Sequence, residues 1–462
     1  MALHESVAEP QIVRGEESWP RRRAAWWALA LVVLATGLNF LGVTVFGMLV
    51  ERIKLDLTLT DEQLGWLIGP ASILFYMLIG IPMARLVDRY PRRVVLALGL
   101  LFTSASTALG GLAQSFGQLF GTRMLVGAGS STHAPGCYSL IADLFPPHRL
   151  PRAIAVFQLG YIIGTTLGVF AGGHLLDITS AWGTTQWLGL TFYSWQWALL
   201  IVGAPGLVVA VGLLFIVEPA RRGVLHQGKS LPLREIIHEV RLRKAAYIPL
   251  FVGVVFCAIE SLSLQSWRTP FMIRTYGWTE TEIGNLMAPL LFVSSVAGLF
   301  IGTALTEWLG KRHKDAHVRA MGILFAFAAL CAIAYPLMPT GELSLILLAL
   351  SSMFGLAVAV PQNAAIQRIT PNNMRGQVTA IYVFIFTLSG ALGSLLIALI
   401  TRYIVGDEHQ LWKALVITGA LLVPLAVYSA VRGLRPYRKE VERLESIVGD
   451  GDNNTEFNRT LR

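Results

Sequence analysis

Three ionisable side chains fall inside stretches otherwise too apolar to hold them: Arg123, His133 and Glu260. A charge at the centre of a membrane helix costs roughly 2.5–3.5 kcal/mol on insertion scales, so such a group faces a cavity, finds a partner or lies on a transport pathway. Arg123 has the chemistry to hold an anionic head group. Helical spacing sets Gly127, Ser130, Ala134 and Cys137 on its face. The competing reading is a guanidinium that snorkels to the outer surface. Glu260 shares a face with Gly253, Phe256, Leu264 and Trp267. A carboxyl there can carry a proton between two sides, bridge Arg123 while the site is empty, or serve packing as a hydrogen-bonded neutral group. His133 is offset from the Arg123 face by about 80°. It is either a second proton carrier or a hydrogen-bonding residue between helices. Asn39, Ser130, Tyr138, Tyr161, Trp267, Asn363 and Tyr382 complete the candidate substrate-binding set, amid ordinary apolar bulk.

A second cluster lies between apolar runs rather than within them. Ala84-Arg85-Leu86-Val87-Asp88-Arg89-Tyr90-Pro91-Arg92-Arg93 cannot sit in hydrocarbon, so it marks a tight, water-facing hairpin between two membrane helices. Asp88, at a helix end, can accept from the exposed amides of a facing helix such as the eleventh. Asp143 can hold Arg92 or Arg93.

These groups must be positioned by a membrane domain. The chain has 462 residues, 54% hydrophobic and 14% charged, whereas a soluble domain carries about a quarter charged residues. Apolar stretches of spanning length recur, near 24–50, 63–87, 94–113, 118–142, 152–176, 195–216, 246–272, 283–307, 317–338, 343–368, 374–402 and 411–433. The expected fold class is an all-α integral membrane protein with 12 transmembrane helices in two pseudo-symmetric six-helix bundles. Residues 1–23 form a cytoplasmic arm, 24–216 the first bundle, 217–245 a cytoplasmic linker, 246–433 the second bundle and 434–462 a polar cytoplasmic tail with no core of its own. The linker's second part, 231–244, reads as an amphipathic surface helix. The first apolar run reads as a retained helix rather than a leader.

Most of the 37 Lys and Arg fall in the arm, the even-to-odd loops and the tail. That asymmetry puts both termini in the cytoplasm, the expected location being the cell's inner (cytoplasmic) membrane, and it explains the +9 net charge without nucleic acid. Cys137, Cys257 and Cys331 lie within spans and read as packing residues. Pro147 followed by Arg152 echoes Pro371 followed by Arg375, which suits parallel halves around a central cavity. Gly160, Gly164, Gly168 and Gly172 permit close helix approach. They read either as a surface on which the fifth helix slides against the other half or as a static seam.

The 84–93 hairpin resembles the loop between helices 2 and 3 of the major facilitator superfamily, with Ala84 and Pro91 where that family has glycines. Arg123-Met124-Leu125-Val126-Gly127-Ala128-Gly129, Ala134-Pro135, Ser139 to Pro146, Trp195-Gln196-Trp197, Gly203-Ala204-Pro205-Gly206, Trp267, Pro270 and Arg274 narrow the resemblance to the spinster-like transporters. It implies a cytoplasmic gate made of Asp88, Arg89, Arg92, Arg93, Asp143 and Arg152; the alternative is that these charges only obey the positive-inside rule. It also implies lipid cargo, since that family includes exporters of sphingosine-1-phosphate and lysophospholipids. Two departures stand out. Phe40-Leu41-Gly42-Val43 follows Asn39 where spinster-like members carry an Asp-Arg pair, and Ser130 stands where they carry Glu.

The expectation is therefore a secondary transporter, not an enzyme, working by alternating access on an amphipathic, anionic, lipid-like substrate. It needs no cofactor or metal. Protons are its candidate coupling ions, membrane lipids its surroundings, and a monomer its expected state. The rival readings are a proton-coupled exporter of drugs or small metabolites and a non-transporting sensor on the same fold.

Overall fold

The computed structural model describes residues 19–460 apart from 147, 188–189, 222–237, 239 and 371–373. Most of the arm and the linker, including 231–237 and 239 of the surface helix expected over 231–244, lie outside the described residues. So do the side chains of Asp88, Glu260 and 447–460.

The chain is helical almost throughout. In order it forms α1 (Arg22–Asp56), α2 (Asp61–Ile68), α3 (Pro70–Arg89), α4 (Arg92–Gly110), α5 (Phe116–Ser130), α6 (His133–Leu144), α7 (Leu150–Ser180), α8 (Ser194–Leu214), α9 (Lys244–Tyr276), α10 (Glu280–Gly310), α11 (Ala316–Ala334), α12 (Gly341–Ile369), α13 (Arg375–Ile400) and α14 (Leu411–Thr460). Ten helical stretches among the described residues are long and apolar enough to cross a membrane. The α5–α6 pair and α9 complete twelve. A short antiparallel hairpin, β1 (Thr185–Trp187) with β2 (Leu190–Phe192), precedes α8.

Two expected helices are broken, each for a local reason. The second apolar stretch divides at Gly69, because Pro70 cannot donate into the preceding turn but suits the first turn of a new helix. The fourth divides at Ser131 and Thr132. The ring of Pro135 clashes with a carbonyl four residues back, and the freed end is closed by the Ser131 and Thr132 hydroxyls, which donate to the Ala128 and Gly129 carbonyls at 2.6 and 3.0 Å.

The tail expected to lack a core continues α14 instead, and its first turns dock. Tyr437 is fully buried and Val441 nearly so, against Tyr247, Val318 and Ile369. Tyr437, Val441 and Leu444 recur at helical spacing, an amphipathic pattern that the high charge of the segment conceals.

The glycine run of α7 faces α1, in the same half. A Cβ at Gly164 would lie 2.3 Å from the Gly37 carbonyl oxygen, and Gly168 and Gly172 meet Thr44 and Met48. It is a static seam, and the sliding-surface reading is corrected. One residue further on, Gly173 does meet the other half, at Glu280 and Thr281 of α10.

Helix α1 enters and α14 leaves at one end, the terminal face; the opposite end is the distal face. Three large apolar clusters and a small one around Leu309, Ala316 and Ala320 fill the interior. One belongs to the first half (Ala28, Leu96, Ile141, Phe157) and one to the second (Tyr247, Phe325, Ile366, Tyr437). The third crosses between halves near the distal face, joining Met48, Leu64 and Leu176 to Phe271, Ile283 and Ile397. The halves are thus sealed together distally.

Candidate functional site

Arg123 sits two turns into α5, below the distal face. Its side chain is neither in a vestibule nor turned outward: the residue is 2% exposed, which rules out snorkelling. Its guanidinium lies 4.2 Å over the Phe46 ring, a cation–π contact, and Nε and Nη2 have no hydrogen-bond partner among the described residues. Leaving buried N–H donors unmet is costly, so such a group marks a place for a ligand or water. The nearby turn of α1, where the spinster-like pattern would supply an acid, carries Gly42.

A second buried cation escaped the sequence reading. Arg268 of α9 is 7% exposed, and among the described residues it makes no hydrogen bond or ion pair. Its charge lies within electrostatic range of the Tyr161 phenol, across the interface between halves. The signal was present: Trp267-Arg268-Thr269-Pro270 sits inside the seventh apolar stretch. Each half therefore contributes a buried guanidinium without an ion-pair partner among the described residues.

The other expected residues separate into groups. Asn39 and Ser130 bond each other, Nδ2 donating to Oγ at 3.2 Å. Tyr161 packs edge-on against Phe40 at 4.6 Å. Tyr138 is 45% exposed and donates weakly to Gln158 at 3.4 Å. Tyr382 is buried, donating to Gln362 at 3.0 Å. Asn363 is exposed and its amide turns back to the Ala359 carbonyl at 2.9 Å. Trp267 is not brought to an open surface: it is fully buried, with its indole N–H spent on the Ser394 carbonyl at 2.9 Å. His133 is buried, with Nε2 2.8 Å from the Thr36 hydroxyl and the Cys137 sulfur beside the ring. Glu260 lies on α9, but its side chain is outside the described residues.

On the terminal face, the ion pairs seen among the described residues lie within one half or the other. Arg92 is almost fully buried and binds Asp143, the Glu218 carboxylate at 2.9 Å and the Pro219 carbonyl at 3.0 Å. Arg93 donates to the Ile216 carbonyl at 3.1 Å. Arg89 and Arg152 are exposed; Asp88 is outside the description. In the second half, Asp315 accepts from Arg319 at 2.7 Å and from Arg438 at 2.8 Å.

The polar contacts that bridge halves lie at the distal face, and sequence reasoning did not assemble them. Arg274 at the end of α9 grips Glu51 of α1 through Nε and Nη2, both at 2.9 Å, and Asp61 of α2 through Nη1 and Nη2 at 2.7 and 2.8 Å. Lys54 donates to Asp61 at 2.6 Å and to Glu408. Arg402 binds Glu62. His174 reaches Asn285 at 2.9 Å, and Thr281 reaches Asp177 at 2.5 Å. Local structure aims these groups. A capping box formed by Thr60 and Gln63 starts α2 at Asp61. Gly277, at φ 70°, stops α9 one turn past Arg274, where a cation complements the helix dipole. The result is a latch, with Arg274, Lys54 and Arg402 set against Glu51, Asp61, Glu62 and Glu408 across the halves.

One linker motif was overlooked. Gly223 to Ser230 has the spacing of a phosphate-binding P-loop, but it lies outside the described residues. Such a loop must follow a strand and open a helix, and the strands among the described residues are β1 and β2, far along the chain.

The Major Facilitator Superfamily model matches residues 32–394. An MFS-type efflux pump of Mycolicibacterium smegmatis is 26% identical over 91% of this chain and 95% of its own length. Human protein spinster homolog 1 is 32% identical over 50% of this chain and 42% of its own, so this chain spans roughly half the spinster relatives' length. Among solved structures, a bacterial homolog of the human lysosomal transporter spinster, inward-facing and unoccupied, superposes with a TM-score of 0.74 at 24% identity, over 92% of this chain and 98% of that one. The chain belongs to the Major Facilitator Superfamily, and within it is similar to spinster proteins.

Proposed function

We propose that this transporter moves an amphipathic anion, of lysophospholipid or sphingolipid type, by alternating access, with its terminal face toward the cytoplasm of the inner membrane. One observation carries the reading. Arg123 and Arg268, one in each half, are buried cations without a carboxylate partner among the described residues. An anionic head group bridging them would satisfy donors that the protein leaves unmet and would draw the halves together, while the apolar surround suits a chain. Lipid-like cargo is supported by the spinster relatives. For proton coupling, His133 is committed to Thr36 and Cys137, which supports Glu260 as the carrier.

The efflux pump relative, aligned over nearly the whole chain, supports a second reading, export of drugs or small metabolites. Flux into proteoliposomes separates the two. Wild-type protein is expected to move an anionic lysophospholipid, and Arg123→Gln to slow it about tenfold or more, the worth of a charged hydrogen bond, with Arg123→Lys intermediate. Transport of a cationic dye but no lysolipid, or equal rates in wild type and Arg123→Gln, would reject the anion reading.

A further inference from the structure

Where α9 enters and α14 leaves the apolar layer on the terminal face, their walls enclose a groove of about 650 Å³. Arg243, Arg435, Lys439 and Arg443 line it, with Glu440 as the single carboxylate. Glu440 is engaged by Arg243 at 3.4 Å and by Arg443 at 2.9 Å. Arg435 and Lys439 are exposed and make no ion pair among the described residues. Both walls of the groove are anchored in the core. Tyr437 and Val441 face away from it into the second-half core, joined there by Ala246 and Tyr247 of the opposite wall. Its rim is apolar: Leu242 is 66% exposed, with Ala245 and Pro436 beside it. Cations above an apolar rim, at the depth where a spanning helix meets water, match a phosphate group with acyl chains beneath it.

We infer that this groove binds a phosphate-bearing anion, apart from the transport pathway and whether or not the chain carries lipid as cargo. Arg435 and Lys439 supply the charge, Arg243 and Arg443 are held in reach by Glu440, and Leu242 and Pro436 meet the hydrocarbon. The source is either the head group of an anionic membrane phospholipid or a free phosphorylated solute, and the groove's position beside the apolar layer favours the lipid.

The test is native mass spectrometry of the delipidated full-length protein. It is titrated with phosphatidylglycerol, with phosphatidylcholine, and with inorganic phosphate alone or in competition. Phosphatidylglycerol is expected to bind well ahead of phosphatidylcholine. Arg435→Gln with Lys439→Gln should weaken it about thirtyfold, from roughly a factor of five per cation near an anionic surface. Glu440→Gln should strengthen it, a change that misfolding could not mimic. Lipid retained against millimolar phosphate identifies the head group as the ligand. Variant-sensitive binding of phosphate without lipid identifies a soluble anion, and upholds the site. Equal binding of both lipids and no phosphate binding, or adducts that ignore all three substitutions, would overturn it.

Discussion

Asp61, which the sequence did not single out, is a central acceptor of the contacts that join the halves. Its side chain is wholly buried and accepts from Lys54 and twice from Arg274. Removing a charge from a buried ion-pair network costs up to about 3–5 kcal/mol, so Asp61→Asn should leave Arg274 to Glu51 alone and loosen the latch. Thr269, buried beneath it with its hydroxyl 3.2 Å from the Met48 sulfur, offers a reporter. A cysteine placed at 269 should react with a membrane-impermeant maleimide about tenfold faster in the Asp61→Asn background, the change expected from even 1.4 kcal/mol of population shift. Labelling that stays slow would show that the apolar distal cluster closes the molecule unaided. The sequence made Arg123 legible because hydrocarbon makes any charge conspicuous. It hid Asp61, Glu51 and Arg274 for the opposite reason. Each lies at a helix end, where a charge is ordinary, and they meet only across separations of 213 and 223 residues. Arg268 was hidden by its place near the end of its span, where charges pass as loop residues.

At the scale of elements, α7 separates two jobs that its sequence blurs. Gly164 faces α1, and an added Cβ would strike the Gly37 carbonyl oxygen at 2.3 Å; Gly173 faces α10, and the same atom would lie 2.4 Å from the Glu280 carbonyl oxygen. The first contact holds one half together, whereas the second exists because the halves are closed distally. Gly164→Val should therefore lower thermal stability, by about 1–3 kcal/mol for an overpacked site. Gly173→Val should leave stability near wild type and slow transport, because the strain falls on one conformation of the cycle. Comparable melting points for the two variants would argue against this division. Number and order of the helices were readable from hydropathy alone. Their breaks were not read, although Pro70 and Pro135 were in plain view, because an apolar average does not register a lost N–H. The α14 extension was missed for a related reason. Charge counted over 434–462 concealed a narrow stripe of Tyr437, Val441 and Leu444 that needs only one face to dock.

For the whole molecule, the two halves are joined distally by an apolar cluster and an ionic latch, while the terminal ion pairs described here close within each half. Alternating access then requires the distal contacts to part and the terminal ends to meet. The α7–α10 contact is a suitable place to block that exchange, because His174 and Asn285 already touch across it at 2.9 Å and lie outside the Arg274 network. Cysteines introduced at 174 and 285 should crosslink under mild oxidation and lock the distal face shut. The native Cys137 and Cys257 are buried and poorly placed to compete. Flux through the oxidised double variant should fall to background and return on reduction, since a disulfide removes the open state without touching Arg123 or Arg268. Binding of an anionic lysolipid from the terminal side should survive the lock. Transport that persists in the crosslinked protein would mean that the distal contacts do not have to separate, and the rigid-body exchange between halves would have to be abandoned.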